Sequence, residues 1–185
     1  MVFATPESFP VFRINRLILI DSYKPGTLQE VRLDGPTNLN GVNGAGKTTL
    51  LRLIPLFFGE SPSRLVPKSR VNESFVQHYL PHDSSYLIFE YRRSKQTCLA
   101  VMYAATNEGG LCYRFVDKAF ALDDFLVTDG EGGEMPISCR DLARHLGKKG
   151  VYCSPQLDRP PRLSHRHSKS APCQRVGDAP VDCPL

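Results

Sequence analysis

Several patterns are missing from this sequence, and each absence removes a class of protein. None of its six cysteines, at 98, 112, 139, 153, 173 and 183, stands in C-x-x-C spacing with another. The first two lie in strand-like runs and read as small apolar residues. His165, His167, Cys173 and Cys183 match no zinc spacing. The first residues carry no signal-peptide pattern, so a secreted disulfide scaffold is not expected and the cytoplasm is the expected compartment. No apolar run is long enough to span a membrane. There is no N-K-x-D element of the kind a GTPase uses to read its base, and no run of aliphatic residues ending in Asp-Glu.

What remains is ordinary for a globular chain. Its 185 residues are 41% apolar and 23% charged, enough for one compact domain with a core. A net charge of +4 permits an anionic partner without identifying it.

Along the chain, "FRINRLILIDSY" reads as a strand, Pro25-Gly26 as a turn and "TLQEVRL" as a second strand of the same hairpin. "TNLN" reads as a short third strand. From Lys47 the period becomes helical, with Leu50, Leu51, Leu53 and Ile54 on the apolar side and Pro55 limiting or kinking the helix. "GESPSRLVPKSR" reads as a loop. "NESFVQHYL" reads as a short helix capped by Asn72. "SSYLIFEYRR", "QTCLAVMYAA" and "LCYRFVDKAF" are three consecutive strand candidates, joined by connections that suit antiparallel neighbours. "SCRDLARHLGKKG" reads as a helix with a Ser138/Asp141 capping box and Gly147 past its end. The organised part spans 12–150. Residues 155–185, rich in Pro, Arg and Ser, lack apolar periodicity and are expected to be a disordered tail. Two origins stay open for it: a tail that meets nucleic acid, or letters that follow a lost reading frame.

Between "TNLN" and the first helix stands "GVNGAGKT", which matches G-x-x-x-x-G-K-[ST] from Gly41 to Thr48. Phosphate oxygens need donors from several directions within a small radius. Gly44 and Gly46 remove side chains that would block the backbone and permit dihedrals other residues resist. Successive N–H groups then form an anion nest, and the helix start adds unpaired donors and a positive dipole end. Lys47 is expected to reach the β- and γ-phosphates, Thr48 to place its hydroxyl on Mg²⁺, Thr49 to sit near the α-phosphate and Asn43 to assist at the γ-phosphate. The motif specifies a nucleoside triphosphate but neither its base nor its use. Three uses stay open: an ATPase acting on DNA or another large partner, a small-molecule kinase, and a nucleotide-binding module without turnover. An ATPase also needs an acidic residue ending an apolar strand. Glu90 in "YLIFEYRR" is the local candidate, although strand alternation puts it on a face with Ile88, where it reads equally as a surface or edge residue.

The segment "FRINRLILIDSYKPGTLQEVRLDGPTNLNGVNGAGKTTLLRLIPLFFG" resembles the N-terminal head segment of SMC/RecN/Rad50-like ATPases of the ABC class, and among them the large bacterial ATP-binding proteins with a split head and a long coiled coil. The resemblance covers roughly 12–150 and is most specific over 37–58. It implies an α/β P-loop NTPase fold, the first lobe of an ABC-type head with an antiparallel strand layer. It also implies ATP and Mg²⁺ as cofactors, with Asn43, Gly44, Ala45, Gly46, Lys47, Thr48 and Thr49 contacting the nucleotide, Lys47 in the catalytic role and Thr48 on the metal. It further implies ATP hydrolysis coupled to DNA in repair, chromosome handling or defence. The family's coiled coil, signature serine motif, acidic Walker B strand and switch histidine do not occur here, and its magnesium-touching glutamine has only Gln156 as a counterpart. The chain is therefore expected to be a head fragment that binds nucleotide without turning it over until a C-terminal head half or second head completes it.

Other features read more blandly. Arg64, Lys68 and Arg70 form a basic stretch that either meets phosphate or is simply solvated. Arg52 projects from the P-loop helix, toward a carboxylate or toward the triphosphate of a partner head. His82-Asp83 reads as a turn. Asp123-Asp124 and "DGEGGE" read as solvated acidic loops without the ligand order of a calcium site.

Overall fold

The computed structural model describes residues 12–37, 39, 46–70, 72–105, 110–130 and 132–147, and the backbone of 151–154. A six-stranded sheet organises them, in the order β2-β1-β3-β4-β5-β8, with every neighbouring pair antiparallel. Its strands are β1 (Phe12–Ile20), β2 (Leu28–Arg32), β3 (Tyr86–Arg93), β4 (Gln96–Ala104), β5 (Leu111–Val116) and β8 (Val151–Ser154). A separate two-stranded ribbon pairs β6 (Leu126–Thr128) with β7 (Glu134–Pro136).

The hairpin expected around Pro25-Gly26 is present. Asp21 closes it from an unusual backbone, φ 45°, a region that short polar side chains tolerate best. Its amide donates to the Thr27 carbonyl, and its carboxylate accepts from the Gly26 amide at 2.7 Å. Gly26 itself lies at φ 67°. Thr37 and Leu39 are not in a strand, and the remainder of "TNLN" lies outside the described residues.

Both faces of the sheet are covered, which explains why β3 and β4 read as unbroken apolar runs rather than as alternations. On one face Leu17, Leu19, Leu87, Phe89, Tyr91 and Met102 meet three helices: α1 (Lys47–Phe57), α2 (Pro62–Leu65) and α3 (Phe75–Tyr79). On the other, Ile18, Ile20, Tyr86, Ile88, Leu99 and Val101 meet Phe125, Ile137 and α4 (Leu142–Leu146). Buried polar groups are tied into these layers. The Tyr79 hydroxyl donates to the Leu65 carbonyl at 3.0 Å, and that of Tyr86 to Ile137 at 2.9 Å. Buried Arg114 on β5 donates to the Gly147 carbonyl just past α4, where a cation complements the helix end.

Several boundaries differ from the sequence expectation. Pro55 does not end α1, which runs two residues further. The loop "GESPSRLVPKSR" contains α2 and a 3₁₀ turn over Lys68–Arg70. The cap of α3 is Ser74, not Asn72: Ser74 Oγ accepts from the Gln77 amide while Gln77 Oε1 accepts from the Ser74 amide, so the reciprocal box lies two residues later. No Ser138/Asp141 box forms. Ser138 Oγ donates to Asp83 and Asp141 makes no side-chain cap, although Gly147 does follow the last leucine. The "DGEGGE" stretch supplies the turn of the β6–β7 ribbon, where the Asp129 carboxylate accepts from the Gly133 amide.

Candidate functional site

Of the glycine loop, Gly41 to Ala45 lie outside the described residues, and with them the positions of Asn43, Gly44 and Ala45. Gly46 through Thr49 are described. Gly46 is the N-cap of α1 at φ 90°, ψ 6°, a left-handed conformation in which a side chain is strained. A Cβ added there would sit 3.6 Å from Cε1 of Tyr23, an ordinary contact, so the demand for glycine comes from the backbone rather than from lack of room. The first helical bond runs from the Leu50 amide to the Gly46 carbonyl at 3.0 Å. The amides of Thr48 and Thr49 therefore precede it, at the positive end of an 11-residue helix. No acidic side chain stands in the first turn and none caps it. Lys47 and Thr49 are half-buried and Thr48 is exposed.

The helix is held by Leu53, Leu56 and Phe57, which are buried against Phe89 and Tyr91 of β3. Tyr23 lies between the helix start and α3, with its ring 5.6 Å from that of His78. Sequence reasoning did not single out Tyr23. Its only signal was position, at the end of the strand that runs into the first turn.

Glu90 does not meet this helix. Leu87, Phe89 and Tyr91 point to the α1 face, and Tyr86, Ile88 and Glu90 to the other. Alternation placed Glu90 with Ile88 correctly, but the surface or edge reading does not hold: Glu90 is buried on an interior strand, on the face of the sheet away from Thr48. Glu90 is buried and accepts from Arg16 Nε at 3.0 Å and Nη2 at 2.7 Å, a two-pronged pair, and from the Phe120 amide at 2.9 Å. Burial pushes its carboxyl up, but the Arg16 bonds, the Phe120 amide and the Asn15 side chain outweigh it and hold the group below the usual range. The Arg16 guanidinium is held protonated chiefly by its bond to Glu90, also reaches Glu30 at 3.2 Å, and lies 5.4 Å from the centre of the Phe120 ring. Glu90 is a structural ion-pair residue, so the acidic element that would complete an ATPase is not supplied by β3.

A second polar cluster joins the β1–β2 turn to the loop before β3. Asp21 Oδ2 accepts from Ser84 Oγ at 2.5 Å and faces His82 Nδ1 at 3.1 Å, while Ser85 Oγ donates to the Asp21 carbonyl at 2.6 Å. Burial raises the Asp21 carboxyl, and the Ser84, Gly26 and His82 contacts bring it below its ordinary value. His82-Asp83 is the turn expected, with this added role of pinning.

The basic stretch after α1 is largely satisfied by its own neighbours: Arg64 pairs with Glu60 at 3.4 Å and Arg70 with Glu73 at 2.7 Å, on exposed ground. Arg52 has no carboxylate partner among the described residues. Cys98 and Cys139 are free and buried, and burial pushes the Cys98 thiol up to about 11, so neither is an activated nucleophile. Cys112, read as a small apolar residue, is buried as expected but is disulfide-bonded. Among the described residues no group of three or more His, Cys, Asp or Glu is placed to hold a metal ion, and no helix is long and apolar enough to cross a membrane. Gln156, His165, His167, Cys173, Cys183 and the whole of 155–185 lie outside the described residues.

Residues 18–160 match the family DUF3584, proteins of unknown function. The match covers most of the chain, and the chain belongs to that family. Comparison with curated proteins and with solved structures found no match.

Proposed function

We propose that this chain binds ATP with Mg²⁺ through residues 43–49, as the first lobe of an SMC/RecN-like ATPase head of P-loop fold that acts on DNA. The observation that carries the proposal is the union of the G-x-x-x-x-G-K-T spacing with a helix that begins at its lysine, capped by its left-handed second glycine and with no carboxylate in its first turn. In this reading the amides around Gly44 to Thr48 hold the phosphates, the Lys47 ammonium meets the β- and γ-oxygens and the Thr48 hydroxyl faces the metal. Magnesium supplies charge neutralisation across those oxygens.

Two further features support an incomplete head. Glu90, the local acidic candidate, is engaged on the opposite face of the sheet. The outer side of α1 carries Leu51, Pro55 and Phe58 at helical spacing, and Leu51 and Phe58 are 52% and 71% exposed. A helix that receives another layer would present such a side. A C-terminal head half or second head is the proposed partner, and it would bring the hydrolytic carboxylate.

The alternatives are a small-molecule kinase and a binding module without turnover, and the position of Glu90 favours the latter for the chain on its own. The test is calorimetry and phosphate release on the purified chain with Mg-ATP. Binding abolished by Lys47→Ala, without measurable turnover, is the expected result. Turnover lost in Lys47→Ala would refute the incomplete-head reading. Phosphoryl transfer to a small metabolite without any partner would replace it with the kinase.

A further inference from the structure

On the face of the sheet away from α1 lies a concavity of 520 Å³ lined by polar and charged side chains of β1, β2 and β3 and the residues just past β2. Arg13, Arg16, Arg32 and Arg92 line it together with Glu30, Asp34 and Glu90. The carboxylates are already committed. Glu90 and Glu30 pair with Arg16, and Asp34 pairs with Arg32 at 2.9 Å. Two arginines are left over. The Arg13 side chain donates to the Asp34 backbone carbonyl; its charge acts on the Asp34 carboxylate without forming a salt bridge. Arg92 has no carboxylate partner among the described residues.

These two stand directly opposite each other across β1 and β3, and both are exposed. Like charges at opposed positions of an antiparallel pair are destabilising. They are brought onto one face by the irregularity between Ile14 and Arg16: it inserts Asn15, returns Ile14 to the apolar layer and leaves Arg13 beside Arg92 on the polar side. The next row along the sheet holds Arg16 opposite Arg32. The result is two rows of guanidinium groups over a shallow hollow.

We propose that this hollow binds the phosphodiester backbone of nucleic acid, with Arg13 and Arg92 taking one phosphate between them and Arg32 its neighbour. All the cations are arginine, whose planar fork matches phosphate oxygens two at a time. A phosphodiester chain offers regularly repeated anions to both rows, whereas a peptide would need consecutive acidic side chains at matching spacing. The inference rests on the reading that this chain serves a DNA-linked protein, but it needs no nucleotide. The surface is on the opposite side of the sheet from Lys47.

The test is fluorescence anisotropy of a labelled DNA duplex with the full chain, without nucleotide, over a salt series. Arg13→Gln combined with Arg92→Gln should weaken binding by about tenfold or more and lower the magnitude of the salt slope by about 1, because the one phosphate the two arginines share is lost. The same variant should resist urea as well as or better than wild type, since a like-charge pair is relieved. The double variant should bind Mg-ATP as wild type does, so failure of nucleotide binding and failure of this surface are told apart. An unchanged affinity and salt slope in the double variant would overturn the proposal. So would displacement of the duplex by poly-glutamate of equal charge as readily as by unlabelled DNA, which would assign the hollow to acidic protein.

Discussion

Glu90 shows how one side chain can satisfy a sequence criterion and still serve another purpose. It interrupts an apolar strand, as a metal-orienting carboxylate would, yet its oxygens are occupied by Arg16 and by the Phe120 amide. The pair has a testable pH signature. The folded-state pKa of Glu90 lies below the ordinary glutamate value of 4.5. Its contribution is therefore complete above 4.5 and is lost as the pH falls through the folded value. Glu90→Gln should lower stability to urea near neutral pH by about 1–3 kcal/mol, and the gap to wild type should close on acidification below 4.5. Asp21 is depressed in the same sense but is present in both proteins, so it cancels in the difference. A gap that is constant with pH would show that the effect is packing alone. At the candidate site, the helix start at Lys47 and the need for a glycine at 46 were legible from the spacing of the motif. Glu90's role was not legible, because its partner Arg16 is 74 residues away and opposes it only once β1 and β3 pair.

At the scale of elements, the central strands were readable from their apolar runs and short turns, and β1 through β5 lie close to the expected segments. The two faces were not separable in β3 and β4, since burial on both sides erases alternation. The β6–β7 ribbon was missed because its strands are three residues each and half polar, and β8 because its four residues gain strand character only by pairing with β5. Cap positions failed for a simpler reason. Asn72, Ser74 and Ser138 are all competent caps, and the choice among them is set by where the chain enters its packing. For α3 that choice has a measurable consequence. The helix is only five residues long, so the box at Ser74 and Gln77 carries a large share of its definition. Ser74→Ala should cost about 1 kcal/mol in urea unfolding, and Asn72→Ala close to nothing. Equal losses at the two positions would put the helix start back at Asn72.

For the molecule as a whole, an antiparallel strand layer was expected, whereas the packing of helices on one face and of a ribbon and helix on the other is known only from the structure; membership of DUF3584 places the chain in a family without assigning it a reaction. The sheet has two faces with different proposed roles: the helix start of α1, proposed to meet phosphate, packs on one, and an arginine-lined hollow lies on the other. Amide hydrogen exchange of the full chain, with and without Mg-ATP, tests the central claim at residue level. The account predicts new protection concentrated in the amides of Asn43 to Thr49, absent in Lys47→Ala. Protection that fails to appear there, or that appears equally in the Lys47→Ala chain, would contradict it.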